Sequence, residues 1–318
     1  MNPSRLFVLI VSLALAPIST SALRAAADAS FTRKEDVIYG RKHGTALTMD
    51  VFTPKGRANG AAVVFCVSGG WRSAHRAINP SLIRPLVDRG YTVFAVVHGS
   101  QPKFTVPEIL EDMHRAVRFI RYHADRYGID PGRIGITGGS AGGHLSLMQG
   151  TAGTIGNADA DDPIDRVSSR VQAVACFYPP TDFLNWGRPG RHLVQILREE
   201  KEFLRPAPDF HAYDAETKRF ERITDEERVL EIAKQISPIT HVTADDPPSL
   251  ILHGDADSLV PIQQAEVIVE AFKKTGVIAK LTVKAGAGHG WRGMEKDLET
   301  FADWFDKYLV KPTTQRNP

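Results

Sequence analysis

Arg133-Ile134-Gly135-Ile136-Thr137-Gly138-Gly139-Ser140-Ala141-Gly142 runs from a short apolar stretch into a glycine-rich turn, and a helical pattern starts near Ala141. Strand, tight turn and helix in that order would stand Ser140 at the carboxyl end of a strand, with its hydroxyl facing a crevice. Glycines two residues to either side relieve the crowding of so sharp a turn. The G-x-S-x-G spelling alone is a weak signal, and its strand-turn-helix setting is what gives it weight.

Outward from this stretch, apolar runs alternate with amphipathic ones. Strands are predicted over Val37 to Tyr39, Leu47 to Phe52, Ala61 to Val67, Thr92 to Val97, Arg133 to Thr137, Val171 to Phe177, Ser249 to His253 and Lys280 to Val283. Between them, Ile109, Met113, Ala116, Val117 and Ile120 share one face at helical spacing, as do Leu298, Phe301, Ala302, Phe305 and Leu309. This order predicts an α/β fold, a mostly parallel eight-stranded sheet with helices on both faces. One region departs from it. From Phe183 to Gln235 no strand is evident, and 19 of the 37 residues from Arg198 to Lys234 are charged. Too little apolar surface is left there for a separate core. We expect a helical insertion over 183–235, after the sixth strand, with a Thr224/Glu227 capping box starting one helix. It could serve as a lid or as a solvated excursion with no gating role.

With 42% apolar and 24% charged residues in 318, the chain is neither disordered, collagenous nor a polytopic membrane protein. A formal net charge of +2 is too balanced to draw in nucleic acid or an anionic membrane surface. Cys66 and Cys176 lie within apolar strands and cannot build a disulfide framework or a zinc site. At the start, Arg5 precedes the apolar run Leu6 to Ala16, and small residues follow up to Ala25-Ala26-Ala27. That is the order of a secretory signal peptide over 1–27, with an apolar part shorter than a bilayer span needs, which leaves a retained anchor as the lesser alternative. The expectation is one secreted or periplasmic domain over 28–318. Losing Arg5 and Arg24 leaves 37 charges of each sign.

An alcohol is a weak nucleophile, so Ser140 needs a base, and the base needs an acid to orient it. His289 stands in Gly286-Ala287-Gly288-His289-Gly290-Trp291 after the last predicted strand, flanked by glycines that let a loop approach closely. His144 sits four residues along Ser140's own helix and is directed away from the turn. For the acid, Asp257 in His253-Gly254-Asp255-Ala256-Asp257 is far enough along its loop to reach the next one. Asp182 and Asp255 stay open as alternatives, although an aspartate in Asp255's place more often stabilises the turn itself. Oxyanion donors are expected from the Ala141 amide and from Gly69 and Gly70 in Ser68-Gly69-Gly70-Trp71. Trp71, Trp186 and Trp291 are candidates for a substrate-facing wall, with Trp71 and Trp291 taken as substrate-binding. Asp159, Asp161, Asp162 and Asp165 lack the ligand spacing of a calcium loop. No metal or cofactor motif is visible.

These residues carry a family resemblance. Pro107-Glu108-Ile109 through Asp112, Ala116-Val117-Arg118-Phe119-Ile120-Arg121, Gly128-Ile129-Asp130-Pro131, Gly139-Ser140-Ala141-Gly142-Gly143-His144-Leu145, Ser237-Pro238, Leu252-His253-Gly254-Asp255-Ala256-Asp257 and Val260-Pro261 resemble the α/β-hydrolases of the hormone-sensitive-lipase-like and feruloyl-esterase-like (BD-FAE-like) serine esterases. The resemblance covers nearly the whole chain after residue 27. It implies Ser140 as nucleophile, Asp257 as acid and His289 as base. Two departures stand out. The family's usual His-Gly-Gly-Gly-Trp is here Val67-Ser68-Gly69-Gly70-Trp71, and its Tyr-Arg after the fourth strand is His98-Gly99-Ser100, which removes a cation that braces that loop. The role of His98 stays open.

The expected function is hydrolysis of carboxylic esters through an acyl-enzyme, on a small-molecule or glycan ester such as an acetyl or feruloyl carbohydrate. An exopeptidase-like amide hydrolase and a non-catalytic binding protein on the same scaffold are the alternatives.

Overall fold

The computed structural model describes residues 30–192, 196 and 209–310. The expected signal peptide lies outside them.

In chain order the elements are β1 (Phe31–Lys42), β2 (Thr45–Pro54), β3 (Ala62–Cys66), α1 (Pro80–Asp88), β4 (Thr92–Val97), α2 (Val106–Tyr122), β5 (Ile134–Gly139), α3 (Ala141–Thr151) and β6 (Ala173–Phe177). After the insertion's β7 (His211–Asp214), β8 (Arg219–Arg222) and α4 (Glu226–Gln235) come β9 (Ser249–Gly254), α5 (Gln263–Lys274), β10 (Ala279–Lys284) and α6 (Met294–Leu309). The main sheet has eight strands in the order β1-β2-β4-β3-β5-β6-β9-β10. β1 and β2 are antiparallel, as are β2 and β4, and the remaining pairs are parallel. All eight expected strands are present. β1 is much longer than its expected three residues, because its outer half carries Arg33, Lys34, Glu35 and Asp36, whose charge hides a strand from apolar pattern reading.

Burial follows the two-layer logic of such folds. Met113, Val117 and Ile120 of α2, Leu145 and Met148 of α3, and Ile268 and Phe272 of α5 pack on one face of the sheet. Ile83 and Leu86 of α1 and Leu298, Phe301 and Phe305 of α6 cover the other. The free thiols of Cys66 and Cys176 are buried in the central strands β3 and β6. No helix among the described residues is long and apolar enough to cross a membrane.

The order of strands places the site. From β3 the chain goes to β4 on one side and later to β5 on the other, and ligands of open α/β sheets bind outside the carboxyl ends where the order reverses. The loops after β3 and β5 therefore sit side by side, as do those after β9 and β10.

The described part of the insertion differs from the helical expectation. It holds a two-stranded antiparallel hairpin, β7 with β8, beside the helix α4. Strand residues His211, Ala212, Tyr213 and Arg219 to Arg222 are all exposed, so no period-two apolar pattern marks them. The cap of α4 is Asp225, whose side chain accepts from the Arg228 amide, and not the expected Thr224 with Glu227. At the insertion's neck, Ser237 Oγ accepts from the Phe183 amide at 3.0 Å and donates to the Ala233 carbonyl at 2.7 Å.

Candidate active site

Ser140 sits on the turn between β5 and α3 with φ 55° and ψ −122°, a strained backbone for a residue with a Cβ. The turn closes this tightly because its neighbours are glycines. A Cβ on Gly138 would lie 2.6 Å from the Gly142 carbonyl, and one on Gly142 would lie 2.8 Å from the Cys66 carbonyl. The Ser140 amide donates to the Phe177 carbonyl at the end of β6, which fixes the turn against its neighbouring strand.

His289 and Asp257 arrive from the other side. His289 Nε2 is 2.9 Å from Ser140 Oγ, and His289 Nδ1 is 2.7 Å from Asp257 Oδ2. The Asp257 side chain is fully buried and that of His289 is about one-fifth exposed. Asp257 is anchored through its other oxygen, which accepts from the Leu259 and Val260 amides at 2.9 Å each. The two loops are pressed together at Gly254, where a Cβ would meet the Ala287 carbonyl at 2.2 Å, and the Ala256 amide donates to that same carbonyl. A carboxylate in this position selects the imidazole tautomer with Nδ1 protonated, leaving Nε2 free to accept the serine proton.

The other candidate acids are engaged elsewhere. Asp182 accepts from the Leu184 and Asn185 amides and from Asn185 Nδ2, closing its own turn. Asp255 Oδ1 accepts from the Gly286 amide at 2.6 Å.

The oxyanion expectation needs one correction. Gly69 donates its amide to the Arg72 carbonyl and accepts the Arg72 amide in return, so its N–H is consumed in the turn. Gly70 and Trp71 occupy the turn's centre at φ 54° and 56°, and their amides meet no acceptor among the described residues. Ala141 opens α3, where a first-turn amide has no partner within the helix.

Of the two tryptophans taken as substrate-binding, Trp71 borders a small crevice beside Ser140 rather than the main cavity, and Trp291 borders neither. Trp71 is 2% exposed, and its indole N–H donates to His144 Nδ1 at 3.1 Å. Trp291 donates to Asp297 Oδ2 and packs edge-on against Phe177 and Tyr178, outside the cavity at Ser140. Trp186 is buried and stacks on Phe183 at 6.0 Å. The cavity, of about 410 Å³, is lined instead by Ala77, Leu82, Phe177, Tyr178, Met294 and Leu298, with Ser68, Gly70, Thr137, Ser140 and His289 among its further lining residues. Tyr178, unremarked in the sequence, holds φ 34°, and its ring lies 4.3 Å from the His289 imidazole. Burial first, then the Asp257 carboxylate, pushes the Tyr178 phenol up to about 12, so it stays neutral.

Two other histidines frame the site. His144 Nε2 donates to the Ile236 carbonyl at 2.7 Å while Nδ1 accepts from Trp71, so one imidazole joins the helix that follows Ser140, the loop after β3 and the end of the insertion. Burial pushes its pKa down to about 4. His253 Nε2 donates to the Val260 carbonyl at 2.8 Å and lies 3.4 Å from Asp257 Oδ2, and burial lowers its pKa as well. His98 is buried, with its Nδ1 2.6 Å from the Gly99 carbonyl, and is not part of the cavity lining. The cation missing from that loop comes from β1. Lys42 pairs with buried Asp112 at 2.6 Å, and Asp112 accepts the Gly99 amide.

Asp36, Asp50 and His75 bring three ligand-type atoms within 4.8 Å of one another. Arg33 holds Asp50 Oδ2 through Nε at 2.8 Å and Nη2 at 2.5 Å, which makes the group an ion-pair cluster. Of the acidic run, Asp162 and Asp165 pair with Arg115.

Residues 49–272 match the model of the BD-FAE family, and the chain belongs to that family. It is 32% identical over 243 residues to the probable carboxylic ester hydrolase LipM of Mycobacterium tuberculosis, an alignment covering 75% of this chain and 51% of LipM. The chain spans between half and three-fifths of the length of the first curated relatives it matches. Among solved structures it is similar to a truncated carbohydrate esterase from gut microbiota, at TM-score 0.66 and 26% identity, covering 88% of this chain and 98% of that one. It is also similar to the esterase Est2 of Thermogutta terrifontis, at TM-score 0.65 and 26% identity over 90% and 95% of the two chains.

Proposed function

We propose that this member of the BD-FAE family is a serine esterase that cleaves carboxylic esters through an acyl-enzyme. The observation that carries the reading is the continuous chain Ser140 Oγ, His289 Nε2, His289 Nδ1, Asp257 Oδ2, with contacts of 2.9 and 2.7 Å. Ser140 Oγ attacks the ester carbonyl carbon while His289 Nε2 takes its proton. The Gly70 and Ala141 amides face the negative charge on the former carbonyl oxygen, and each such fixed donor is worth on the order of 3 kcal/mol in the transition state. On collapse, the imidazolium returns the proton to the leaving alcohol oxygen. A water then attacks the acyl-Ser140 ester by the same route and frees the acid. Asp257 stays ionised throughout and stabilises the imidazolium.

Acyl esters of carbohydrates are the proposed substrates, supported by the likeness to a carbohydrate esterase. The chain would work outside the cytoplasm, a proposal resting on the signal-like order of residues 1–27. Amino-terminal sequencing of the exported protein tests it.

The enzymatic reading is tested by a fluorophosphonate probe with an ester panel. Stoichiometric labelling of the folded protein, lost in Ser140→Ala, together with ester turnover is the expected result. Folded protein that neither labels nor turns over an ester would be a binding protein, and turnover of peptide amides in preference to esters would make it an exopeptidase-like hydrolase.

A further inference from the structure

Two amides can stabilise one oxyanion only if their separation is fixed, and here the two come from different elements. The Ala141 amide opens α3, while the Gly70 amide belongs to the loop after β3. That loop is not in a relaxed conformation. Trp71, next to Gly70, has φ 56°, which a residue with a Cβ keeps only where its surroundings enforce it. From outside the loop, the Trp71 carbonyl accepts the Gln101 amide at 3.3 Å, and the Trp71 indole N–H donates to His144 Nδ1 at 3.1 Å in a fully buried contact.

The imidazole that receives this bond stands on the other donor's element. The His144 amide donates to the Ser140 carbonyl at 2.9 Å in the first turn of α3, so its ring is carried on the same rigid piece as the nucleophile and Ala141. Through Trp71 it therefore gauges the distance from the start of α3 to the loop after β3. The two partners of the ring leave it one state. An indole N–H can only donate and a carbonyl can only accept, so Nδ1 carries the lone pair and Nε2 the proton that goes to the Ile236 carbonyl. Burial keeps the ring neutral, with its pKa pushed down to about 4.

The tautomer on which the Trp71 bond depends is thus selected by the residue that follows α4, at the end of the insertion. Phe183, at the insertion's beginning, completes the joint. Its ring centroid lies 5.9 Å from that of Trp71 and 5.5 Å from that of His144, and its amide donates to Ser237 Oγ, one residue past Ile236.

We propose that His144 is a positioning residue for the oxyanion hole: through Trp71 it spaces the Gly70 amide against the Ala141 amide, and the end of the insertion selects the tautomer that makes this bond. The inference rests on the esterase reading above. It gives the insertion's neck a part in stabilising the transition state without contact to the substrate.

The test uses the full chain and reads kcat and KM separately on para-nitrophenyl acetate, per site titrated to completion with a fluorophosphonate. Two substitutions cut the bond from opposite ends. Trp71→Phe removes the N–H and keeps an aromatic ring, while His144→Gln keeps a donor where Nε2 stands and leaves no acceptor in the place of Nδ1. Each should lower kcat by about ten- to a hundredfold, the cost of a donor displaced rather than deleted, with KM changed by no more than about threefold. His144→Asn, which puts an amide oxygen in the place of Nδ1, should have a kcat at least about fivefold above that of His144→Gln. Because both single variants remove one bond, the double variant Trp71→Phe/His144→Gln should be no more than about twofold slower than the slower single. An imidazole that merely fills the core would instead lower the urea midpoint and leave kcat per titrated site untouched. Unchanged kcat in Trp71→Phe overturns the proposal while leaving the esterase reading intact, and so do equal losses in His144→Asn and His144→Gln. Wild-type protein that neither labels nor turns over any ester would sink the esterase reading itself.

Discussion

The rim that carries Asp257 and His289 and the insertion that follows β6 are both built from loops beyond the carboxyl ends of strands, yet they are held in opposite ways. At the rim, backbone meets backbone: the Ala256 amide bonds the Ala287 carbonyl, Gly254 packs against that carbonyl, and buried Asp257 takes two amides as well as the imidazole. In the insertion, the β7–β8 hairpin presents mostly exposed side chains, and its aromatic pair Tyr213 and Phe220 are 58% and 70% exposed. The insertion is fastened at its neck, by Ser237 to Phe183 and by Ile236 to His144. Tolerance differs accordingly: geometry that must hold to fractions of an ångström is set by main chain, while surface that can vary hangs from a few buried anchors.

The largest effect expected from that contrast is at the rim. Asp257→Asn keeps the shape but favours the wrong imidazole tautomer, and kcat/KM on acetate esters should drop by roughly a thousand- to ten-thousand-fold. A drop under about tenfold, measured on folded protein, would mean that His289 does not depend on this carboxylate.

Acid should loosen buried supports of the fold, among them His144, which anchors the insertion. Burial holds His98, His114 and His144 at a pKa of about 4, against 6.5 in the unfolded chain. The folded state thus binds protons less readily. Its advantage is full above pH 6.5 and is lost as the pH falls towards 4, by up to about 3 kcal/mol for each imidazole. Urea midpoints measured from pH 7 to 4.5 should fall steadily, and a flat profile would contradict the burial of all three.

Next comes Gln264, fully buried beneath the start of the insertion. It accepts the Thr181 and Asp182 amides and donates to the Asp182 and Asn185 carbonyls. Gln264→Leu strands those groups and should cost about 3 kcal/mol in urea unfolding. The smallest effect belongs to the hairpin, where Phe220→Ser should cost less than about 1 kcal/mol, since an exposed cross-strand pair is worth no more. A larger loss would show that the hairpin carries core weight and would erase the contrast.

The sequence made the rim more legible than the insertion for the same physical reason. A sheet strand announces itself through a local apolar run, and the serine turn through local glycines. Order along the chain then pointed to His289 and Asp257, which the fold brings together. What stayed hidden depended on partners distant in sequence. Trp71 and Trp291 look like open walls until His144 and Asp297 claim their N–H groups, and Gly69 looks like a free donor until Arg72 takes its amide. The hairpin has no buried face and so leaves no periodic mark. Its one local clue is Asp214, whose side chain accepts the Glu216 and Thr217 amides and so sets the turn.

The two cysteines in the middle of the sheet give the molecule a built-in clock. Burial pushes the Cys66 thiol up to about 12 and the Cys176 thiol still higher, so almost no thiolate exists at neutral pH to react with an alkylating reagent. Iodoacetamide uptake under native conditions would then count how often the central strands part, reporting whole-molecule opening separately from any movement at the periphery.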